Sequence, residues 1–212
     1  MTDLDSWLEK VYRAGGDRRT LDELYNEWAL EYDQQLWASG NPFIAIQAGF
    51  VGRFVNDFDA VILDAGCGTG NMTQILFQMG YNAIEGLDPS AGMLEVARQK
   101  HVYRKLHQLC LGSSVELPGE SFDAIVASGV LTHGHAPPEA LDGMLGLAKT
   151  GAPLIFSLSK IAHDEQGFGD KLSQLEESGA LVQIGKSRLF RTYPFSNQAA
   201  HLQHWVCAYR KT

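Results

Sequence analysis

The chain has 212 residues, 45% of them hydrophobic and 20% charged, with a formal net charge of −8 and a pI near 5.3. That suits one soluble globular domain over 1–212, as a monomer or homodimer, and leaves little room for a disordered tail. A broad footprint on nucleic acid is disfavoured, no run reaches the length of a membrane span, and three scattered cysteines, Cys67, Cys110 and Cys207, suit neither a disulfide framework nor a zinc cluster. The expectation is a cytoplasmic protein with a small-molecule partner.

Leu4, Trp7, Leu8 and Val11 recur at helical spacing and predict a helix over Asp3 to Arg13, broken at Gly15-Gly16. Thr20-Leu-Asp-Glu has the pattern of a capping box and starts a second helix that runs to about Trp37. Its stripe of Leu24, Tyr25, Trp28, Tyr32 and Leu36 is aromatic. A third helix spans Phe43 to Phe54, so residues 1–57 read as a helical lid segment ahead of an α/β core over 58–212.

After Asp59 short apolar runs alternate with helical patterns, the signal of a parallel sheet covered on both faces. Strands are predicted at Val61 to Leu63, Ala83 to Leu87, within Tyr103 to Leu111, at Ala124 to Ala127 and at Leu154 to Leu158. Helices are predicted at Asn71 to Met79, Ala91 to Gln99, Pro138 to Ala148 and Gly167 to Ser178. The tail gives two more strands, Leu181 to Arg191 and His201 to Tyr209, turning at Pro194 to Asn197 and pairing as an antiparallel hairpin at the sheet edge.

The first strand runs into Asp64-Ala-Gly66-Cys-Gly68-Thr-Gly70 and then into a helix. Such a loop lets a ligand approach bare N–H groups at a helix start. A dinucleotide fingerprint needs its third glycine three places after the second, and that place is Asn71. Asp64 is unwelcome beside a pyrophosphate but suits an ammonium group, and Asp88, about 24 residues on, stands at the distance at which an acid grips a ribose. Amine and ribose together indicate an aminoacyl nucleoside. Asp88 before Pro89-Ser90 also reads as a simple helix cap.

At these residues the sequence resembles the class I S-adenosylmethionine-dependent methyltransferases. Leu63 to Gly70 resembles the first motif, Gly86-Leu-Asp88-Pro89-Ser90-Ala-Gly-Met93-Leu the second, and Ser121-Phe-Asp-Ala-Ile-Val the fourth strand. Tyr25 to Asp33, Cys110-Leu-Gly112-Ser113 and the His133-Gly-His135 region resemble, more narrowly, the Williams-Beuren-region methyltransferase-like proteins. The resemblance implies a Rossmann-like α/β fold with a mostly parallel seven-stranded sheet, an antiparallel C-terminal edge hairpin and an N-terminal helical lid. It implies S-adenosyl-L-methionine as cofactor, with Gly66 and Gly68 wrapping its methionine half, Asp64 near its amino group and Asp88 on the ribose. Met93 packs on the adenine, and Pro89 and Ser128 complete the lining. Where many members have an adenine-binding acid after the third strand, this chain has Leu111-Gly112-Ser113-Ser114, so Gly112 and Ser113 must substitute. Tyr25 and Tyr32 would reach the cofactor carboxylate; the plainer reading of both is core aromatics.

Methyl transfer asks mainly for in-line alignment. A general base, where one exists, belongs just after the fourth strand, with His133 first and His135 and Thr132 behind it; a histidine that only shapes the loop is the competing reading. Arg188 and Arg191 are either solvated strand charges or contacts for an acidic acceptor. The pairs His133/His135 and His201/His204 lack further ligands at metal spacing, so no metal is expected, and neither a nucleophile elbow nor a phosphate loop occurs. The function expected is in-line methyl transfer to a small-molecule acceptor. The alternatives are a non-catalytic binder of S-adenosylmethionine or S-adenosylhomocysteine, and an NAD(P)-dependent oxidoreductase, which Asp64 and Asn71 speak against.

Overall fold

The structure is a computed structural model that describes residues 4–112, 114–196, 199 and 201–212. The expected roles of Asp3, Ser113 and Asn197 lie outside these. Five strands, β1 (Ile62–Ala65), β2 (Ile84–Leu87), β3 (Lys105–His107), β4 (Ala124–Leu131) and β5 (Pro153–Ser159), pair in parallel in the order β3-β2-β1-β4-β5. Chain order reverses between β1 and β4, which opens the crevice at which doubly wound sheets take ligands. β8 (Gln203–Lys211) then runs antiparallel between β5 and the edge strand β6 (Leu181–Lys186).

The sequence pattern gives one strand over 181–191, for seven in all, whereas the sheet has eight. Ser187 is the reason. Its N–H donates to Val206 O and its Oγ accepts from Val206 N, so a side chain takes a place in the ladder and the strand breaks. It resumes as β7 (Phe190–Arg191), also on β8.

Strict alternation fills both faces. Leu63, Ile125, Phe156 and Cys207 face one core with α6 (Ala140–Leu147) and α8 (Phe168–Glu177), while Ile62, Val126, Ile155 and Val206 face another with α3 (Phe43–Phe54) and α4 (Asn71–Gln78). α5 (Ala91–Gln99) follows β2. The pattern did not predict α7 (Lys160–Glu165), a short helix after β5 that Ser159 caps by accepting from Ala162 N.

β4 extends beyond Ala127 through a register shift against β5. Gln47 of α3, fully buried, manages the irregularity: its Nε2 donates to Ala127 O and Ile155 O, and its Oε1 accepts from Ser128 Oγ. α3 is thus packed into the core on this face of the sheet. Gln47→Ala strands these groups in the interior, and the expected cost is about 2 kcal/mol of unfolding free energy, to be read from denaturant midpoints at unchanged m-value.

The covering helices are α1 (Leu4–Arg13) and α2 (Arg18–Ala38), which Asp17 caps, three residues ahead of the expected Thr20. Leu4, Trp7, Val11 and Trp28 form a third cluster with Ala199 and Leu202. Polar contacts seat α2 on the sheet's loops. Asn26 Oδ1 accepts from Ser90 Oγ and Gly92 N, and a Cβ on Gly92 would stand 2.9 Å from Asn26 Cα. Asp33 accepts from Thr69 Oγ1, Asn71 Nδ2 and Lys100 Nζ, which ties the helix to the glycine loop and to the residue capping α5 at its C-terminus.

Candidate active site

Above the carboxyl ends of the parallel strands lies a cleft of about 660 Å³, within the range of small-molecule sites. Ten sequence-predicted residues line it: Tyr25, Tyr32, Gly66, Gly68, Asp88, Pro89, Met93, Gly112, Ser128 and His135. Arg18, Asp22 and Glu139, which the sequence did not single out, line it too.

Strand β1 delivers the glycine loop, and Gly66 and Gly68 carry positive φ of 76° and 52°. Their constraints differ. A Cβ on Gly66 would overlap Val130 Cγ2, a demand of packing against β4, whereas a Cβ on Gly68 would meet no protein atom within 4 Å. Gly68 therefore presents bare backbone in open space. Its N–H donates to Asp88 Oδ2 at 2.9 Å, and Asp88 Oδ1 accepts from Ser90 N at 2.9 Å. Ser90 caps α5 by accepting from Met93 N, so the plainer reading of Asp88 as the helix cap does not hold. Asp88 is a cleft residue that holds the cap residue's N–H, with one backbone donor per oxygen and lone pairs left for a ligand. Burial pushes its pKa up to about 6, against the pull of those two N–H groups.

Asp64 is fully buried and does not line the cleft. Its Oδ2 accepts from Thr73 Oγ1 at 2.7 Å and Tyr103 Oη at 2.8 Å, while Oδ1 has no partner. Burial lifts this carboxyl to about 6 as well. Because its pKa is raised on folding, its contribution to stability is fully present below the unfolded value near 4 and is lost as pH rises through about 6. Asp64→Asn is accordingly expected to raise the melting temperature of the ligand-free protein more at about pH 8 than at about pH 5. A gain independent of pH would assign the effect to packing.

Of the three predicted catalytic residues, only His135 reaches the cleft. His133 turns toward Gln166, with Nδ1 2.6 Å from the amide nitrogen, and its ring lies 5.9 Å from that of Tyr12. Thr132 is buried and pairs with Tyr12. His135 Nε2 lies 2.6 Å from Tyr25 Oη and its Nδ1 2.9 Å from His133 O. Arg188 and Arg191 are exposed and line no part of the cleft. His204 pairs with Thr192 in the interior. Among the described residues no group of three or more His, Cys, Asp or Glu stands where it would hold a metal ion, and no helix is long and apolar enough to cross a membrane.

These residues fit an aminoacyl nucleoside sulfonium. Open Gly68 admits its backbone-facing edge and Asp88 offers acceptors to ribose hydroxyls, whereas Asp64, turned to Thr73 and Tyr103 and absent from the cleft lining, does not stand where the sequence reading put it, beside the ligand's amino group.

Residues 63–156 match the family model described as a methyltransferase domain. Among curated proteins, the chain is 32% identical over 120 residues to human methyltransferase-like protein 27, covering 55% of this chain and 49% of that protein, so it spans about half of that relative's length. Among solved structures, it resembles magnesium protoporphyrin IX methyltransferase from Synechocystis with bound cofactor, at a TM-score of 0.61 and 19% identity over 82% of this chain and 81% of that one. The [4+2]-cyclase SpnF shares the fold at a TM-score of 0.62 and 16% identity, over 79% and 81%.

Proposed function

We propose that this chain carries a class I S-adenosylmethionine-dependent methyltransferase domain, a reading supported by the family match over residues 63–156 and by the methyltransferase-named relatives, and that it transfers the cofactor's methyl group to a small-molecule acceptor bound in the same cleft. The observation that carries the reading is the meeting of Gly68, Asp88 and Met93 with the residues after β4 around one cleft. The cofactor supplies an electrophilic methyl on a sulfonium, already activated, so the protein's task is to hold and align. Gly66 and Gly68 would receive the methionine half, Asp88 the ribose and Met93 with Gly112 the adenine. Ser128, held by Gln47, would lie toward the acceptor side. A volume near 660 Å³ favours a compact acceptor, and Asp22, Asp88 and Glu139 against Arg18 give the lining an acidic balance.

Isothermal titration with S-adenosylmethionine, S-adenosylhomocysteine and NAD(P) tests the cofactor half: binding of the dinucleotide and not the sulfonium would overturn it. Release of S-adenosylhomocysteine across a metabolite panel tests the transfer half. Persistent absence of product beside firm cofactor binding would select instead a protein that holds the cofactor without spending it.

A further inference from the structure

Two hydrogen bonds fix the protons of a pair at the cleft. A carbonyl oxygen only accepts, so His135 Nδ1, 2.9 Å from His133 O, must carry its hydrogen. The neutral ring then has a lone pair at Nε2, and Tyr25 Oη, 2.6 Å away, is the donor to it. Tyr25 comes from α2 and His135 from the loop after β4; both line the cleft. A phenol has one proton, and His135 takes it. Donation by Tyr25 to the cofactor carboxylate, as the sequence suggests, would break this contact. Among the described residues no donor is directed at the lone pairs of Tyr25 Oη, which leaves them for a hydrogen-bond donor in the cleft.

We propose that Tyr25 and His135 form a proton relay that ionises the acceptor, and hence that the acceptor is a protic nucleophile, a hydroxyl, thiol or amine bearing a removable hydrogen. The inference rests on the methyltransferase reading of the cleft. In the step, the acceptor's X–H bond breaks as its proton passes to Tyr25 Oη, and the Tyr25 O–H bond breaks as that proton passes to His135 Nε2. The electron pair of the X–H bond stays on X, which becomes the nucleophile. Tyr25 ends as a neutral phenol and His135 as an imidazolium, whose Nδ1–H still donates to His133 O; solvent later removes one proton.

The surroundings favour a relay over a resting phenolate. Burial, with Tyr32, Tyr12 and Asp88 nearby, holds Tyr25 well above the usual phenol range, so it cannot keep the negative charge alone. Burial lowers His135, so it stands neutral at rest with Nε2 free to accept, and its imidazolium forms only as an ion pair with the acceptor's anion. The titratable groups facing His135 are Tyr25 from α2, His133 from its own loop and His204 from β8, with Tyr12 of α1 against His133.

The test loads the protein with S-adenosylhomocysteine and titrates in 4-nitrophenol, whose anion is coloured, below the pH at which the free phenol ionises. Nitrogen NMR of labelled histidine is read in parallel. Wild type is expected to show the anion band together with the imidazolium signal of His135, at least fivefold above the band of free probe. Tyr25→Phe and His135→Gln are each expected to abolish both while keeping S-adenosylhomocysteine affinity within about threefold. No protein-dependent band at saturating probe, or an equal band in either variant, overturns the relay. A tenfold or greater loss of S-adenosylhomocysteine affinity in Tyr25→Phe with the band retained makes Tyr25 a cofactor ligand instead. Failure of wild type to bind S-adenosylhomocysteine sinks the methyltransferase reading itself and is seen before any probe is added.

Discussion

Gly143→Ala is expected to destabilise the protein by about 3 kcal/mol, a fall in melting temperature of roughly 6 to 12 °C for a chain of this length. A Cβ on Gly143 would overlap the carbonyl oxygen of Gly112, a backbone atom that cannot rotate away, and would also touch Val115 Cγ2 at 3.6 Å. The helix has no room to retreat. Leu141, Met144 and Leu147 anchor α6 in the core it shares with the sheet and α8, so the strain falls on the segment through Leu111 and Gly112. That segment lines the cleft, so cofactor affinity is expected to drop with stability. Gly146→Ala is the matched control, in the same helix, exposed and with nothing within 4 Å of the new methyl. It should be neutral or gain about 0.5 to 1 kcal/mol from helix propensity. Equal melting temperatures for the two alanine variants would mean that the approach of Gly112 to α6 is not held in solution.

What the sequence could reveal depended on how local the cause was. The glycine loop, Asp88 and the alternation of apolar residues were legible because each is fixed within a few residues or by the period of a strand. Gly66 looks like Gly68 in sequence, yet Val130 imposes the first and open cleft surrounds the second, a contact across strands that spacing does not encode. The apolar pattern of Phe43 to Phe54 announced a buried face without saying against what, and Gln47 ties that face to β4 and β5. His133 and His135 stand two residues apart, and which ring enters the cleft is decided by Gln166 and Tyr25, 33 and 110 residues away. Asp33 escaped notice because it sits beside the aromatic stripe of α2; an acid there, opposite Thr69 and Asn71 of the glycine loop, was the signal available.

Asp88→Ala is expected to weaken cofactor binding by on the order of 1 to 3 kcal/mol, roughly 5- to 150-fold, because ribose hydroxyls would lose a charged acceptor in a buried setting. The substitution also releases Gly68 N and Ser90 N, the two donors through which Asp88 aligns the glycine loop and the start of α5. Asp88→Asn removes the charge while its one remaining acceptor keeps either Gly68 N or Ser90 N, the amide nitrogen facing the other, so it retains half of the clamp that Asp88→Ala loses whole. The wild-type affinity should itself depend on pH. Free Asp88 has its pKa pushed up to about 6 by burial, whereas donating hydroxyls favour the ionised form, so binding below that pH must expel a proton. Affinity measured by calorimetry is then expected to rise about tenfold between about pH 5 and about pH 7 and to level off above, with proton release at the low end. Asp88→Asn should flatten the curve, and any slope left in it belongs to Asp64, the other carboxyl that burial holds near 6. A wild-type affinity that is flat across this window, or that falls as pH rises, would remove Asp88 from the ribose and leave it as a clamp between loop and helix.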